Sequence, residues 1–247
     1  MHWFTPLLAL ALAGTAAATE LRIVGQEYPP FNWSMNGQFQ GGMIDVLRAA
    51  CDKLHYRCQF TSVPLARAMK MLERGEADAV MSLIPNPERA LYAHFSPAIV
   101  VDRLAYFGVA GVTPRAHSLQ DLKGWTVGAV RGSNSLRKAR ENQQLLIDQV
   151  IVEEVNNETL VRKLQAGRYG PQGVIIGGEA VLRFEARKIQ LEMDPTVTLN
   201  DQNFMTAFSR QSVNTTTMDE LTKTLVGMKR SGEMRALLGK YGLQAAP

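Results

Sequence analysis

Short apolar strands and amphipathic helices alternate along this chain, which leaves few folds open to it. The first strand is expected at 21–25, helices at 43–54 and 64–74, and the next strand at 77–83. After an apolar strand at 99–108 the same alternation begins again. Because short turns containing Gly or Pro separate these elements, the pattern predicts an α/β fold with a largely parallel sheet.

The basic residues are dispersed, although they outnumber the acidic residues. The 247 residues carry a formal net charge of +4, and 46% of them are hydrophobic, as in an ordinary globular protein. The densest basic group, Arg137, Lys138 and Arg140, is followed at once by Glu141, which is typical of a solvated helix face. We therefore expect no nucleic-acid partner.

The first 18 residues have the composition of a secretory signal peptide. An apolar run at 7–13 is followed by Ala16, Ala17 and Ala18, which form an Ala-x-Ala cleavage site. Cleavage near Ala18 would start the mature chain at Thr19 and release it into the periplasm. The alternative is a first helix of the globular core. No later stretch has the ~20 consecutive apolar residues of a membrane helix.

The segment from Gly75 to Pro97 places an arginine at the start of a helix. Asn86 is a favoured N-cap residue and Pro87 suits the first helical position, so Arg89 falls in the first turn. A cation there is unfavourable beside the exposed N–H groups and the positive end of the helix dipole. Arg89 therefore indicates a bound anion, and its planar guanidinium can hold a carboxylate through two hydrogen bonds. The alternative is a surface arginine that points into water.

Several short motifs follow one another in a characteristic order. They are Tyr28-Pro29-Pro30-Phe31, Gly41-Gly42, Glu88-Arg89, Phe95-Ser96-Pro97, Asp121-Leu122-Lys123-Gly124 and Gly239-Lys240-Tyr241-Gly242. Each motif alone is weak, but the ordered set covers essentially the whole mature chain. It resembles the family 3 extracellular solute-binding proteins, the polar-amino-acid receptors of ABC importers.

The resemblance implies a two-lobed periplasmic-binding-protein fold of type II with two hinge crossovers, near 108–111 and 200–204. Lobe 1 would comprise residues 19–108 and 205–247, and lobe 2 would comprise residues 109–204. It also implies a periplasmic monomer that is not an enzyme. Such a protein captures a small polar, amino-acid-like solute with a carboxylate and presents it to an inner-membrane ABC permease.

The same resemblance assigns ligand contacts by position to Arg89, Tyr28, Ser82, Ser133, Asn134, Glu179 and Arg67. Arg89 would hold the ligand's carboxylate, with Ser82 as a partner at the end of the preceding strand. Tyr28 would cover the ligand, and its alternative is an ordinary turn aromatic. Ser133 and Asn134 match a helix-start turn that faces the cleft from the second lobe, and their alternative is a plain helix cap.

Two departures from the family pattern affect the ligand. Ile84 stands where amino-acid-binding members have a second hydroxyl, and Gly178 stands where they have an aspartate for the ligand's ammonium. We therefore expect weak binding of common α-amino acids unless Glu179 takes the aspartate's role, because a buried ammonium without a carboxylate is costly. Glu179 is also explained by its place at a helix start. Arg67 could add a second cation to the cleft or face solvent.

Two other functions stay open at this point. The architecture also resembles that of the cyclohexadienyl dehydratases, which would make the chain a prephenate or arogenate dehydratase with Glu179 as the general acid. A sensor ectodomain is the third possibility. We expect it least, because no transmembrane or signalling segment follows in the sequence.

The two cysteines, Cys51 and Cys58, are expected to form a disulfide. An even count in a chain with an export signal favours a bridge over a metal site. The same seven-residue separation resembles the histidine-binding and lysine/arginine/ornithine-binding members of the family, and two buried thiols are the alternative. Because His55, His94 and His117 are scattered and none partners a cysteine at metal-ligand spacing, we expect no metal and no cofactor.

Overall fold

The structure is a computed structural model that describes residues 19–247. The expected signal peptide, residues 1–18, lies outside the described residues. The strands are β1 (Glu20–Gly25), β2 (Trp33–Met35), β3 (Gln38–Gln40), β4 (Arg57–Ser62), β5 (Ala79–Leu83), β6 (Ala93–Phe95), β7 (Val100–Val109), β8 (Thr126–Val130), β9 (Val150–Glu154), β10 (Gly173–Gly178), β11 (Met193–Ser209) and β12 (Gln244–Ala245). The helices are α1 (Gly42–Lys53), α2 (Leu65–Glu73), α3 (Pro87–Ala90), α4 (Asn134–Gln143), α5 (Asn157–Gln165), α6 (Glu179–Lys188), α7 (Thr215–Ser231) and α8 (Glu233–Gly239). None of these helices combines the length and the apolar character needed to cross a membrane.

Two groups of parallel strands lie at the ends of one mixed sheet. β1 pairs in parallel with β4 and β5, and β8 pairs in parallel with β9 and β10. The strand order is β4-β1-β5-β11-β7-β10-β8-β9, with β6 paired to β11 and β12 paired to β7. Helices α1 and α2 connect the strands of the first group, and α4 and α5 connect those of the second. The α/β fold predicted from the sequence is confirmed.

The long strands β7 and β11 join the two groups. They pair antiparallel as a ribbon that runs from Val100 opposite Phe204 to Val109 opposite Met193. β11 continues past the ribbon and pairs with β5 from Met205 onward, while β7 also pairs with β10. The chain therefore crosses between the groups twice, as predicted from the sequence. The first crossing lies earlier than the predicted 108–111, because β7 pairs with β10 from Leu104 onward and packs there in the core of the second group.

Each strand group carries its own apolar core. On the first group, Leu47 of α1 packs among Leu225 of α7 and Leu238 of α8, so the C-terminal helices return to the N-terminal half of the chain. On the second group, Leu136 of α4 is buried on one face of the sheet, and Leu182 of α6 is buried on the other. Burial of each such side chain stabilises the fold by about 1.5 to 3 kcal/mol.

Cys51 near the end of α1 and Cys58 in β4 form a disulfide, with their Cα atoms 6.2 Å apart. That separation is within the range that disulfides require. The bridge ties helix α1 to the edge strand that follows it. The predicted pairing is confirmed, and no free cysteine is found among residues 19–247.

Candidate functional site

A cleft of about 1220 Å³ opens between the two strand groups. One wall is the segment from Ile84 to Arg89, which follows β5 and includes most of α3. The opposite wall is the turn after β8 and the exposed face of α4, from Arg131 to Gln144. Strand β11 contributes Asn200 and Gln202. Both walls therefore follow the carboxyl ends of parallel strands, which is where α/β sheets commonly bind ligands.

Arg89 forms part of the first wall. The side-chain oxygen of Asn86 accepts a hydrogen bond from the backbone N–H of Arg89 at 2.8 Å, so the predicted cap of this short helix is confirmed. The Arg89 guanidinium donates one hydrogen bond, at 2.8 Å, to the carbonyl oxygen of Ile84. This contact fixes the half-buried side chain beside the cleft and leaves further guanidinium N–H groups for a ligand.

The arginines of the opposite wall are paired with carboxylates. Arg131 and Arg140 both contact Glu153, and Arg137 contacts Glu141. Among the described residues, Arg89 is in no ion pair with a carboxylate. Arg89 is therefore the arginine of this cleft whose positive charge is available to bind an anion.

Ser133 and Asn134 line the cleft, and their side chains also accept hydrogen bonds from residues of α4. The Ser133 hydroxyl accepts a hydrogen bond from the backbone N–H of Leu136 at 3.0 Å, as a helix cap does. The side-chain oxygen of Asn134 accepts from Arg137 on the next turn. The first turn of α4 thus faces Arg89 across the cleft, with N–H groups at its positive end.

Tyr28 and Ser82 are not among the residues that line this cleft. The Tyr28 ring packs against Phe31 and Phe204, with ring centroids 5.1 Å and 5.9 Å away. Desolvation by burial raises the pKa of the Tyr28 hydroxyl, which therefore stays protonated. The Ser82 hydroxyl is buried and donates to the side-chain oxygen of Asn32, so in this structure it is already engaged.

Arg67 and Glu179 are not brought to this cleft. Arg67 lies on α2 with an exposed side chain. Glu179 lines a smaller cavity of about 290 Å³. Its carboxylate accepts a hydrogen bond from Arg183 at 2.8 Å and lies 3.6 Å from Arg103. These two guanidinium groups engage both carboxylate oxygens, so Glu179 is held away from the cleft.

Asp102 is a buried acid that sequence reasoning missed. It lies in the apolar strand β7, and the residue is about 6% exposed. One carboxylate oxygen accepts a hydrogen bond from the backbone N–H of Ala180, in the first turn of α6, at 3.0 Å. The other oxygen, Oδ2, accepts no hydrogen bond from any residue of the described chain. Burial, with smaller contributions from Glu179 and Asp201, raises the pKa of Asp102 to about 6.

The position of Asp102 is linked to the glycine that replaces the family's aspartate. A Cβ atom built on Gly178 would overlap Oδ2 of Asp102 and would lie 3.6 Å from the Tyr28 hydroxyl oxygen. The space that a side chain at position 178 would enter therefore holds a carboxylate from another strand. The sequence signal was a single acidic residue inside the apolar run 99–108.

The described residues contain no group of three or more His, Cys, Asp or Glu side chains placed to hold a metal ion. The cleft itself combines arginine, hydroxyl and amide groups, which suit an organic anion better than a metal.

Comparison with known proteins gives similar chains of the same size. The probable amino-acid-binding protein YxeM of Bacillus subtilis (strain 168) is 23% identical over 227 residues, covering 88% of this chain and 81% of YxeM. A histidine kinase sensor domain with similarity to periplasmic binding proteins has a TM-score of 0.77 at 18% identity, covering 93% of this chain and 99% of that domain. The ancestral amino acid-binding protein AncCDT-1, a precursor of cyclohexadienyl dehydratase, has a TM-score of 0.75 at 21% identity, covering 90% of this chain and 95% of that protein.

These structural likenesses establish the two-lobed periplasmic-binding-protein fold. The family model of the bacterial extracellular solute-binding proteins, family 3, matches residues 21–244, which is nearly all of the described chain. The chain therefore belongs to the bacterial extracellular solute-binding proteins of family 3.

Proposed function

We propose that this protein captures a small, polar, amino-acid-like solute through its carboxylate and presents it to the permease of an ABC importer. The observation that carries the proposal is Arg89, a cleft arginine with no carboxylate partner among residues 19–247. A guanidinium held at one N–H and free at others can bind a carboxylate in a bidentate arrangement. The first turn of α4 faces it and offers the positive end of a helix to the same anion.

The cleft is wider than a small solute needs, which fits binding by closure. A volume of about 1220 Å³ exceeds the ~300–1,000 Å³ of a typical small-molecule site. We assign residues 19–108 and 205–247 to lobe 1 and residues 109–204 to lobe 2, with the β7–β11 ribbon as the hinge. Bending of the ribbon would bring Ser133 and Asn134 toward Arg89 around the ligand.

The cellular setting follows from the same proposal. A signal peptide cleaved near Ala18 would deliver the chain to the periplasm, where the Cys51–Cys58 disulfide is compatible with an oxidising compartment. There the protein would act as a monomer with an inner-membrane permease as its partner. Size-exclusion chromatography with light scattering, and reconstituted uptake with the permease, are the direct tests.

We infer binding without turnover, against the dehydratase alternative. In that alternative Glu179 donates a proton to the substrate, yet its carboxylate contacts Arg103 and Arg183 outside the cleft. Prephenate and arogenate are the substrates to test. Product formation that disappears in Glu179→Gln would favour the enzyme, and absence of product with either substrate supports the receptor.

The deciding experiment compares two arginines of the same cleft. A thermal-shift screen of amino acids and simple organic acids identifies a ligand, and calorimetry then measures its affinity for wild type, Arg89→Ala and Arg131→Ala. Truncating one partner of a buried, hydrogen-bonded charge pair costs about 2 to 5 kcal/mol, so Arg89→Ala should bind about 30-fold to several thousand-fold more weakly. Arg131 is already paired with Glu153, so Arg131→Ala is the matched control and should bind nearly as wild type. Equal affinities in all three proteins would leave the carboxylate site unassigned.

A further inference from the structure

We propose that Asp102 is the cation subsite of the cleft, where it binds a positively charged nitrogen of the solute whose carboxylate Arg89 holds. The inference rests on the proposed function and narrows it to zwitterionic solutes. It replaces the expectation, drawn from Gly178, that common α-amino acids bind weakly for want of a carboxylate.

Strand register puts Asp102 on the cleft side of the ribbon. In the antiparallel pair, Asp102 lies directly opposite Gln202, and Leu104 lies opposite Asn200. Side chains at directly opposed positions share one face of a sheet. Because Gln202 and Asn200 both line the cleft, Asp102 is on the same face of the ribbon as these two cleft residues.

The carboxylate of Asp102 is buried without a compensating cation. Its neighbours with charge or polarity are the acids Glu179 and Asp201, the Tyr28 hydroxyl and the backbone N–H groups of Ala180 and Arg103. The two acids repel a negative charge, and the N–H of Ala180 donates to Oδ1. Oδ2 accepts no bond from residues 19–247. A buried ionised carboxylate in this state is costly, and a ligand cation beside Oδ2 would remove that cost.

Asp102 itself borders the smaller cavity and not the open cleft, and that cavity does not supply this cation. Its arginines Arg103 and Arg183 contact Glu179, and in the described chain neither forms an ion pair with Asp102. Oδ2 lies beside Gly178, at the place that a side chain at position 178 would enter. There the Tyr28 hydroxyl lies within reach of the same point and can accept a further hydrogen bond from an ammonium group.

Gly178 is therefore the position that makes room for Asp102. Any side chain at 178 would overlap Oδ2, so an aspartate at 178 and an aspartate at 102 exclude each other in this arrangement. An aspartate at position 178 would be the N-cap residue of α6. The N-cap Gly178 has no side chain, and Asp102 accepts the hydrogen bond from the backbone N–H of Ala180 instead. The start of α6 therefore has a carboxylate beside it with either residue.

The experiment compares ligands that differ only in the ammonium group. The twenty standard L-amino acids and their desamino counterparts are titrated by calorimetry into wild type, Asp102→Asn and Asp201→Asn. Asp102→Asn keeps the side-chain size, and Asp201→Asn is the matched control because Asp201 is an exposed acid on the adjacent strand. The double variant Asp102→Ala/Gly178→Asp returns a carboxylate to the same space from the other strand.

We expect wild type to prefer its best amino acid over the desamino counterpart by about 30-fold or more, as for a desolvated charge pair. Asp102→Asn should abolish that preference, Asp201→Asn should retain it, and the double variant should regain part of it. A preference retained in Asp102→Asn would overturn the inference. Equal affinity of wild type for amino acids and desamino acids would overturn the cation subsite at Asp102 but would still support the carboxylate site at Arg89. Wild type that binds neither class would overturn the proposed function as well.

Discussion

The stability of the ligand-free protein should fall as pH rises, because of Asp102. The pKa of this group is raised from 3.8 to about 6 in the folded state, chiefly by burial. A difference of about 2 units, at 1.36 kcal/mol each, corresponds to about 3 kcal/mol. Because the folded-state pKa lies above the unfolded value, the contribution is fully present below about pH 3.8 and is lost as pH rises through about 6.

Asp102→Asn isolates this contribution from the other titrating groups. The amide keeps the shape of the side chain and can still accept from the N–H of Ala180, but it does not ionise. We expect the free energy of unfolding of the variant, relative to wild type, to increase by about 2.5 kcal/mol between pH 4 and pH 8.

Urea unfolding at half-unit pH steps, without ligand, measures the difference between the two proteins. Asp219→Asn serves as the control, since Asp219 is an exposed acid on α7, away from Asp102, and should not change the pH dependence appreciably. Curves for wild type and Asp102→Asn that stay parallel from pH 4 to pH 8 would refute the reasoning. They would show that Oδ2 is solvated or paired in solution.

Three further outcomes are expected. Arg89→Lys keeps the charge but loses the planar fork, so calorimetry should place its affinity between those of wild type and Arg89→Ala, and an affinity equal to wild type would argue against bidentate binding. Replacing Cys51 and Cys58 with serine should lower the free energy of unfolding by about 2 to 3 kcal/mol in urea titrations. Unchanged stability would show that the disulfide does not stabilise the fold. Intact-mass analysis of the exported protein checks both the disulfide and a mature start near Thr19. Gly178→Ala should weaken amino-acid binding by displacing Oδ2, whereas Gly227→Ala, at a position in α7 with open space around it, tests for non-specific effects on folding.

Most elements of the fold could be predicted because each has its own periodic pattern. The helix expected at 43–54 is α1, and the strand expected at 77–83 contains β5. Asn86 caps α3 as expected, since that signal needs only four consecutive residues. The first half of β11, from Met193, was missed: its exposed and intermediate residues lack an apolar stripe. Pairing with β7, not local preference, holds that segment extended.

Side-chain roles were harder to predict than elements, because tertiary neighbours decide them. Ser82 follows the pattern of a ligand-facing hydroxyl, yet Asn32 accepts its hydrogen bond. Glu179 has the expected place at the start of α6, yet Arg103 and Arg183 hold it on the other side. In both cases the competing partner lies on a different segment, so no local pattern could reveal it.

Asp102 is the strongest example of this limit. The residue it contacts, Ala180, is 78 positions away, and the two meet only because β7 pairs with β10 in one particular register. Position 178, considered alone, indicated that the cleft lacks a carboxylate. The start of α6, however, can receive an acid from its own N-cap or from the strand beside it, since either route places oxygen at the same N–H groups. A glycine at the N-cap therefore excludes a carboxylate at the start of α6 only when the neighbouring strand has no acidic residue there. In this protein β7 places Asp102 at that point.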